Sequence, residues 1–424
     1  MTEIGVGLIG LGTVGSAVAR RLVEDWELLS HRAGATPVLR RVAVRNPTRA
    51  RDVALPGVQL DSDPGALVDD PAVAIVVEVM GGVDLASALI ERALRAGKPV
   101  VTANKAALAA NGLELAALAA ERGVSLRYEA AVGAGLPVVA LLRDSLRGDR
   151  ISDLEMVING TTNVILTRME RDGVSLEVAV GEAQERGFAE ADPSADVDGH
   201  DAAAKLVLLS RLAFDAPLTV DDVHRVGIRQ VAAEDIAGAA LFGGSVKLVA
   251  AARRSGEVVT LWVCPTVVRA GHPLHGVDDA DNAVVISSDL AGQLRLSGLG
   301  AGGNSTASAV VSDVVATVRA PSEPPPLPSA ALSAGDGADV ERGGFLRVRL
   351  RPVAEAPELV LQALEDRGIP VRDSTLLSGP DGETQMVLLT GSVARAMLER
   401  ATETLDSLAV VAEVAAVLDW AEVP

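Results

Sequence analysis

IGVGLIGLGTVG, residues 4–15, joins a short apolar run to three glycines spaced G-x-G-x-x-G at Gly10, Gly12 and Gly15. Residues 16–29 follow with a helical pattern. Strand, glycine turn and helix in that order form the context a dinucleotide phosphate demands. Gly10 makes the tight turn, Gly12 lets backbone approach a pyrophosphate, and Gly15 lets the helix pack on the strand. The first amides of the helix supply donors to the phosphates. Leu11, Thr13 and Val14 complete the loop and are counted with the glycines as cofactor-binding.

Outward from the turn, β and α segments alternate. Leu39–Val44 reads as the second strand, and it ends on Arg45 where an NAD site usually carries an acidic residue for the ribose hydroxyls. A guanidinium suits a 2′-phosphate instead, which favours NADP, with NAD the alternative. The plainer alternative is that Arg45 and Arg49 are solvated loop residues. AIVVEV (74–79) reads as a central strand buried on both faces, followed by a helix over 84–96. A strand over 99–102 leads into Ala103-Asn104-Lys105. Ligands of such sheets bind beyond the carboxyl ends of the strands. Lys105 lies at one of those ends, and a helix start is a poor place for an unemployed cation.

Residues 190–205, EADPSADVDGHDAAAK, concentrate the charge. Asp201 and Lys205 stand at i, i+4 on one helix face, with only alanines between them. An isolated pair of this kind is ordinarily a surface salt bridge; beside a cleft it is an acid and a base placed for proton transfer. A calcium loop fails on spacing. With Asp196, Asp198 and Gly199 at positions three, five and six, position twelve is Lys205 rather than the bidentate Glu an EF-hand needs. Glu190 is suited to accept hydrogen bonds from a substrate amine or hydroxyl. Asp192, counted with it on the substrate side, is also placed to cap and position the loop.

Strand patterns over 151–158, 247–253, 258–267, 283–287 and 293–297, without long helices between the last four, predict a mostly antiparallel second sheet. GLGAGGNSTASAVVSDVVATV (298–318) predicts a glycine turn and a helix that returns to the first domain. Prolines 321, 324, 325, 326 and 328 mark a linker over 321–344. Residues 345–424 carry β-α-β-β-α-β, a ferredoxin-like order. The fold class is therefore α/β: an N-terminal Rossmann doubly wound parallel sheet over 1–137, completed by about 300–320; an α+β substrate and dimerisation domain over 138–299; and a C-terminal ferredoxin-like domain over 345–424.

A formal charge of -19 argues against nucleic acid or an anionic membrane as partner. The single cysteine, Cys264, excludes an intrachain disulfide. The N-terminus lacks the features of a signal peptide, and no apolar run approaches the ~20 residues of a membrane span. The expectation is a soluble cytoplasmic protein acting on a small molecule.

These motifs together resemble homoserine dehydrogenase. The resemblance rests on GLGTVG (10–15), VVTANKAALA (100–109), YEAAVGAGLP (128–137), INGTTNVIL (158–166), AQERGFAEADPSADVDGHDAAAKL (183–206), HPL (272–274) and GAGGNSTASAVVSD (300–313). It spans residues 4–320 in order, and the C-terminal domain resembles an ACT module less well. The resemblance implies NAD(P)H-dependent, reversible reduction of L-aspartate 4-semialdehyde to L-homoserine, in threonine, methionine and isoleucine biosynthesis. It implies Lys205 as proton donor, Lys105 at the cofactor and active site, Glu190 on the substrate amino group, and Asp201 in support of Lys205. It also implies a monovalent cation such as sodium near Glu129, with backbone oxygens of Val132, Ala134 and Leu136, and a homodimer or homotetramer.

The chain departs from the family pattern at Asn304-Ser305, at Val164, and at Pro357-Glu358, where an ACT module carries a Pro-Gly turn. Glycine there lets backbone approach an effector. Its absence argues against feedback by threonine and for a role in oligomer contacts. Two rival readings are weaker. Aldehyde oxidation needs a nucleophilic cysteine, and Cys264 sits in the apolar run LWVCP. A non-catalytic NADP-binding regulator predicts loss of Lys105, Glu190, Asp201 and Lys205, all present. With no kinase segment before the first strand, a monofunctional enzyme is expected.

Overall fold

In the computed structural model, β1 (Glu3–Ile9) is the spine of a six-stranded parallel sheet. The structure describes all residues except 50, 52, 329–330, 338–339, 379–381 and 422–424. Parts of the expected linker and the end of the expected C-terminal domain thus lie outside the described residues. The sheet also holds β2 (Thr36–Ala43), β3 (Gln59–Asp61), β4 (Ile75–Glu78), β5 (Val100–Thr102) and β6 (Leu126–Arg127), in the order β3-β2-β1-β4-β5-β6. Val6, Leu8, Val76 and Val77 are fully buried, as strands covered on both faces require. The covering helices are α1 (Thr13–Glu24), α2 (Trp26–Ala33), α3 (Pro64–Asp69), α4 (Asp84–Arg95) and α5 (Lys105–Arg122). The single helix expected over 16–29 breaks at Asp25, which leaves helical geometry (φ -107°, ψ 25°) and takes the Arg21 guanidinium one turn back. Between β1 and β4 the strand order reverses, which opens the crevice where such sheets take their ligands.

After a short helix α6 (Val138–Ala140) and a π-helical turn, β7 (Ile151–Val157) starts a second sheet. Then come α7 (Gly160–Asp172), α8 (Leu176–Glu185), α9 (Ser194–Val197), α10 (His200–Phe214), β8 (Val223–Arg225) and α11 (Ala233–Leu241). They are followed by β9 (Gly244–Ser255), β10 (Val258–Arg269), β11 (Asp281–Ser288) and β12 (Gly292–Leu299). The pairs β12-β11, β11-β7, β7-β9 and β9-β10 are all antiparallel. α12 (Gly303–Arg319) then returns to the first sheet: Ala307, Val310 and Val314 share a core with Val6, Leu8, Val18 and Leu22.

The C-terminal part contributes β13 (Ser333–Gly335), β14 (Glu341–Leu350), α13 (Ala356–Glu365), β15 (Val371–Ser378), β16 (Thr384–Thr390), β17 (Val393–Ala394), α14 (Arg395–Ser407) and β18 (Val411–Ala421). Its strands run β18-β14-β16-β15 and continue the second sheet through β18 rather than forming a detached one. One edge of β10 is covered end to end by three short parallel pairings. β13 lies on Val258–Thr260, β8 on Leu261–Val263, and the tail of β18 on Thr266–Val268. The proline-rich stretch is docked, not free. Pro321 O accepts from Ser125 N, Glu323 meets Arg127 at 2.6 Å, and Pro325, Pro326 and Pro328 line one narrow groove with Tyr128 and Leu212. An extended proline segment has no internal hydrogen bonds to lose by lying in such a groove.

Candidate active site

The glycine turn has the geometry its sequence demands. Gly10 has φ +102°, its N–H donates to Ala43 O at 2.9 Å, and a Cβ there would come within 2.8 Å of Val79 O. A Cβ on Gly15 would stand 2.2 Å from the Gly10 carbonyl oxygen. A Cβ on Gly12 would meet nothing within 4 Å, which leaves that face open to a ligand. Gly12 is the N-cap of α1 without a side-chain cap, so the amides of Thr13, Val14 and Gly15 are unspent donors for a phosphate. Leu11 is buried beneath the turn. Gly303, at the start of α12, closes over Thr13: a Cβ there would be 2.7 Å from Thr13 Cγ2. Arg45 is exposed on the loop after β2.

A buried polar network floors the crevice. Glu78, fully buried at the end of β4, accepts from Thr102 Oγ1 at 2.6 Å and from Met80 N at 2.8 Å. Asn104 caps α5 by accepting from Ala107 N, and its Nδ2 donates to Gly82 O at 2.7 Å. These bonds fix the start of α5 and therefore Lys105.

Lys105 and Lys205, a hundred residues apart in sequence, share one carboxylate. Lys105 Nζ lies 2.6 Å from Asp201 Oδ1, and Lys205 Nζ lies 2.8 Å from Asp201 Oδ2. Lys205 also donates to Ile158 O at 2.8 Å, which leaves one of its three N–H bonds for a ligand. The Lys105 side chain is 44% exposed against 10% for Lys205, so Lys105 faces the open side. Asp201 is almost wholly buried, which by itself disfavours its charge; the two ammoniums outweigh that and hold it well below the usual carboxylate range. Burial likewise opposes the charge on Lys105, but Asp201, with Asp196 and Glu190 adding to the same field, carries the net shift upward. Lys105 is therefore a fixed cation at neutral pH.

The remaining expected residues are less closely gathered. Glu190 is exposed on the loop before α9, where Gln184 Nε2 holds its carbonyl at 3.0 Å. Asp192 is exposed and spends its carboxylate on Ser194 N and Oγ, so it organises its own loop. Glu129 is 5% exposed and accepts from Val139 N and Ala140 N at 2.8 and 2.7 Å, while its own N–H donates to Asp313 Oδ2 at 2.8 Å. Burial pushes the Glu129 carboxyl up to about 7 and that of Asp313 up to about 6. Val132, Ala134 and Leu136 are buried in the adjoining loop, with Ala134 at φ +53°.

Sequence reasoning gave no role to Asn159, whose Nδ2 donates to Asp196 Oδ1 at 2.6 Å and Asp201 Oδ2 at 2.8 Å, or to Asp313. The signal for Asn159 was its place at the head of NGTTN, an N-cap position before a helix. Asp313 lies in an ordinary-looking helix and offered none.

Two family models match the chain: "Homoserine dehydrogenase" over residues 137–315 and "Homoserine dehydrogenase, NAD binding domain" over residues 10–129. The homoserine dehydrogenase of Bacillus subtilis (strain 168) is 35% identical over 421 residues, covering 98% of this chain and 97% of that protein. The chain belongs to the homoserine dehydrogenase family. A homoserine dehydrogenase from Thiobacillus denitrificans superposes with a TM-score of 0.92 at 35% identity, over 100% of this chain and 99% of that one. A hyperthermophilic archaeal homoserine dehydrogenase solved in complex with NADPH superposes with a TM-score of 0.62 at 29% identity, over 74% of this chain and 97% of that one. The activity is accordingly that of a homoserine dehydrogenase, an NAD(P)-dependent oxidoreductase that interconverts L-aspartate 4-semialdehyde and L-homoserine and serves amino-acid biosynthesis. Among the described residues, no helix is long and apolar enough to cross a membrane.

Proposed function

We propose that Lys205 is the proton donor of this reaction, with Lys105 and Asp201 as its electrostatic partners. The carrying observation is the single buried carboxylate of Asp201 shared by the two ammoniums at 2.6 and 2.8 Å. A bound nicotinamide supplies the hydride to the aldehyde carbon. As negative charge builds on the carbonyl oxygen, the free N–H of Lys205 stabilises it and then delivers the proton. The exposed ammonium of Lys105 stays charged and steadies the oxygen or the cofactor beside it. In the reverse direction, neutral Lys205 takes the proton from the homoserine hydroxyl. Glu190 accepts from the substrate amino group, and Asp192 supports it by shaping the loop.

NADP is the preferred cofactor in this reading. It is supported by the exposed Arg45 beyond β2, where a 2′-phosphate would lie, and by the NADPH bound to the archaeal relative. Gly10 to Gly15, with Leu11, Thr13 and Val14, hold the pyrophosphate. Residues 1–137 with 300–320 serve the cofactor, and 138–299 the substrate. A sodium-like cation suits the loop at Glu129: a carboxylate and carbonyl oxygens of Val132, Ala134 and Leu136 are hard donors. A buried carboxylate pushed up to about 7, with the Arg143 guanidinium offsetting its burial only in part, also stands to gain from a cation. The C-terminal module is an ACT-like unit, an assignment supported by its β18-β14-β16-β15 order. Self-association runs through the second sheet, whose outer strand β12 is preceded by Leu290 and ends on Leu299, 84% and 61% exposed.

The deciding assay is absorbance at the reduced-nicotinamide band with L-homoserine at alkaline pH, comparing NADP and NAD. Homoserine-dependent reduction, stronger with NADP, is expected. No reduction with either cofactor by folded protein would overturn the reading.

A further inference from the structure

Asn159 is 4% exposed and stands at the N-cap of α7. Its two ends do different work. Oδ1 accepts from Thr162 N at 2.8 Å and from Thr162 Oγ1 at 3.0 Å, which caps the helix. Nδ2 gives its two hydrogens to two carboxylates, Asp196 Oδ1 at 2.6 Å and Asp201 Oδ2 at 2.8 Å. Turning the amide over would set its oxygen against both carboxylates and its NH₂ against a backbone N–H, so these partners fix its orientation.

The cap needs only an acceptor; the carboxylates need a donor, and a neutral one. Asp201 already meets Lys105 on Oδ1 and Lys205 on Oδ2, so a third contact decides how its plane is turned between them. Asp196 is a second carboxylate beside the same two lysines. Left without Nδ2, the two anions would repel each other and compete for the ammoniums. The amide touches Asp196 on α9 and Asp201 on α10; Lys105 on α5 and Lys205 on α10 meet it through Asp201, and Glu190 on the loop before α9 adds to the field at Lys105.

We propose that Asn159 is a positioning residue for the reaction: its amide sets the rotation of the Asp201 carboxylate and tethers Asp196 beside it, so that Lys205 presents its free N–H to the substrate. The inference rests on the reading of Lys205 as proton donor. Because Asp is as good an N-cap as Asn, Asn159→Asp keeps the cap while it replaces the donor with one further negative charge, which the swap with Asp196→Asn cancels.

The test compares wild type and Asn159→Asp by homoserine-dependent NADP⁺ reduction from pH 6 to 9, with thermal midpoint and NADP⁺ affinity measured alongside. The expected variant folds and binds NADP⁺ as wild type does. Its kcat is lower by about tenfold or more at pH 9, the scale of a misplaced catalytic group. The gap narrows toward pH 6, where a protonated Asp side chain regains an O–H donor. Wild-type kcat and an unchanged pH profile would reduce Asn159 to a cap and overturn the proposal. If the single variant does not fold, the swapped pair Asn159→Asp with Asp196→Asn holds the charge constant. It is expected to fold and remain slow, and wild-type kcat in that pair would equally overturn the proposal. Absence of turnover in the wild type would instead overturn the site assignment itself, and this inference with it.

Discussion

Arg347 and Asp235 meet at 2.6 Å with both side chains shut away from water. Arg347 belongs to β14 of the C-terminal part, Asp235 to α11 of the catalytic part, and Arg347 also donates to Gln385 at 3.0 Å. Phe345, Val387, Leu389 and Trp420 share one core with Ile236, Val246 and Leu248. The C-terminal part is therefore bolted to the catalytic body. Asp235→Ala strands a buried guanidinium and should destabilise the whole chain by about 3–5 kcal/mol. Urea unfolding should show one transition moved to lower denaturant. A separate early transition with the rest unmoved would mean that the C-terminal part unfolds alone.

Lys205→Ala should lower kcat by roughly 10²–10⁴-fold, the range of general acid catalysis. NADP⁺ affinity by fluorescence titration should change little, because the glycine turn lies on another element. Parallel loss of turnover and cofactor binding would indicate misfolding instead.

Arg45→Asp should weaken NADP by about 10–100-fold, the worth of a charge-assisted hydrogen bond, and move the preference toward NAD. The ratio of kcat/KM for the two cofactors reads this directly. An unmoved ratio would leave Arg45 a surface residue.

Sequence reached the cofactor turn because glycine at φ +102° and glycine under a carbonyl are backbone demands that few other residues meet. It reached Asp201 and Lys205 because four residues make one helical turn. It reached Lys105 only as a lysine at a strand end. That Lys105 and Lys205 grip the same carboxylate is set by the packing of α5 on α10, which no local spacing encodes. Asp313 was invisible for the same reason: its partner, Glu129 N, lies 184 positions away. The docking of the proline stretch was likewise decided by its neighbours Ser125 and Arg127 and not by propensity.

Glu129 and Asp313 should make stability fall with pH when alkali cations are absent. Burial raises both carboxyls, to about 7 and about 6, so between roughly pH 4 and 7 the folded protein holds more protons than the unfolded chain. Stability is then greatest at the acid side of that window and levels off above it. The thermal midpoint in alkali-free buffer should drop across the window. Added sodium should raise it at pH 8, and Glu129→Gln should lose about half of the slope and the sodium response. A wild-type midpoint indifferent to both pH and sodium would remove the cation from the reading.

Cys264 is 1% exposed, and burial pushes its thiol up to about 12. It should resist iodoacetamide at pH 8 in the native protein and react only as the chain unfolds in urea. Rapid labelling with loss of activity would reopen the cysteine-dependent reading.

The triple cover along one edge of β10 has a consequence for how the chain is made. On the ribosome, β9 and β10 can pair as soon as both emerge, but the segments that shield Val258–Thr260 and Thr266–Val268 are synthesised later, and the last ends at Ala421. Until then the nascent protein carries a bare strand edge rich in valine, the kind of template on which chains join one another. Closure of that edge therefore waits on the making of β18, not on completion of the catalytic residues.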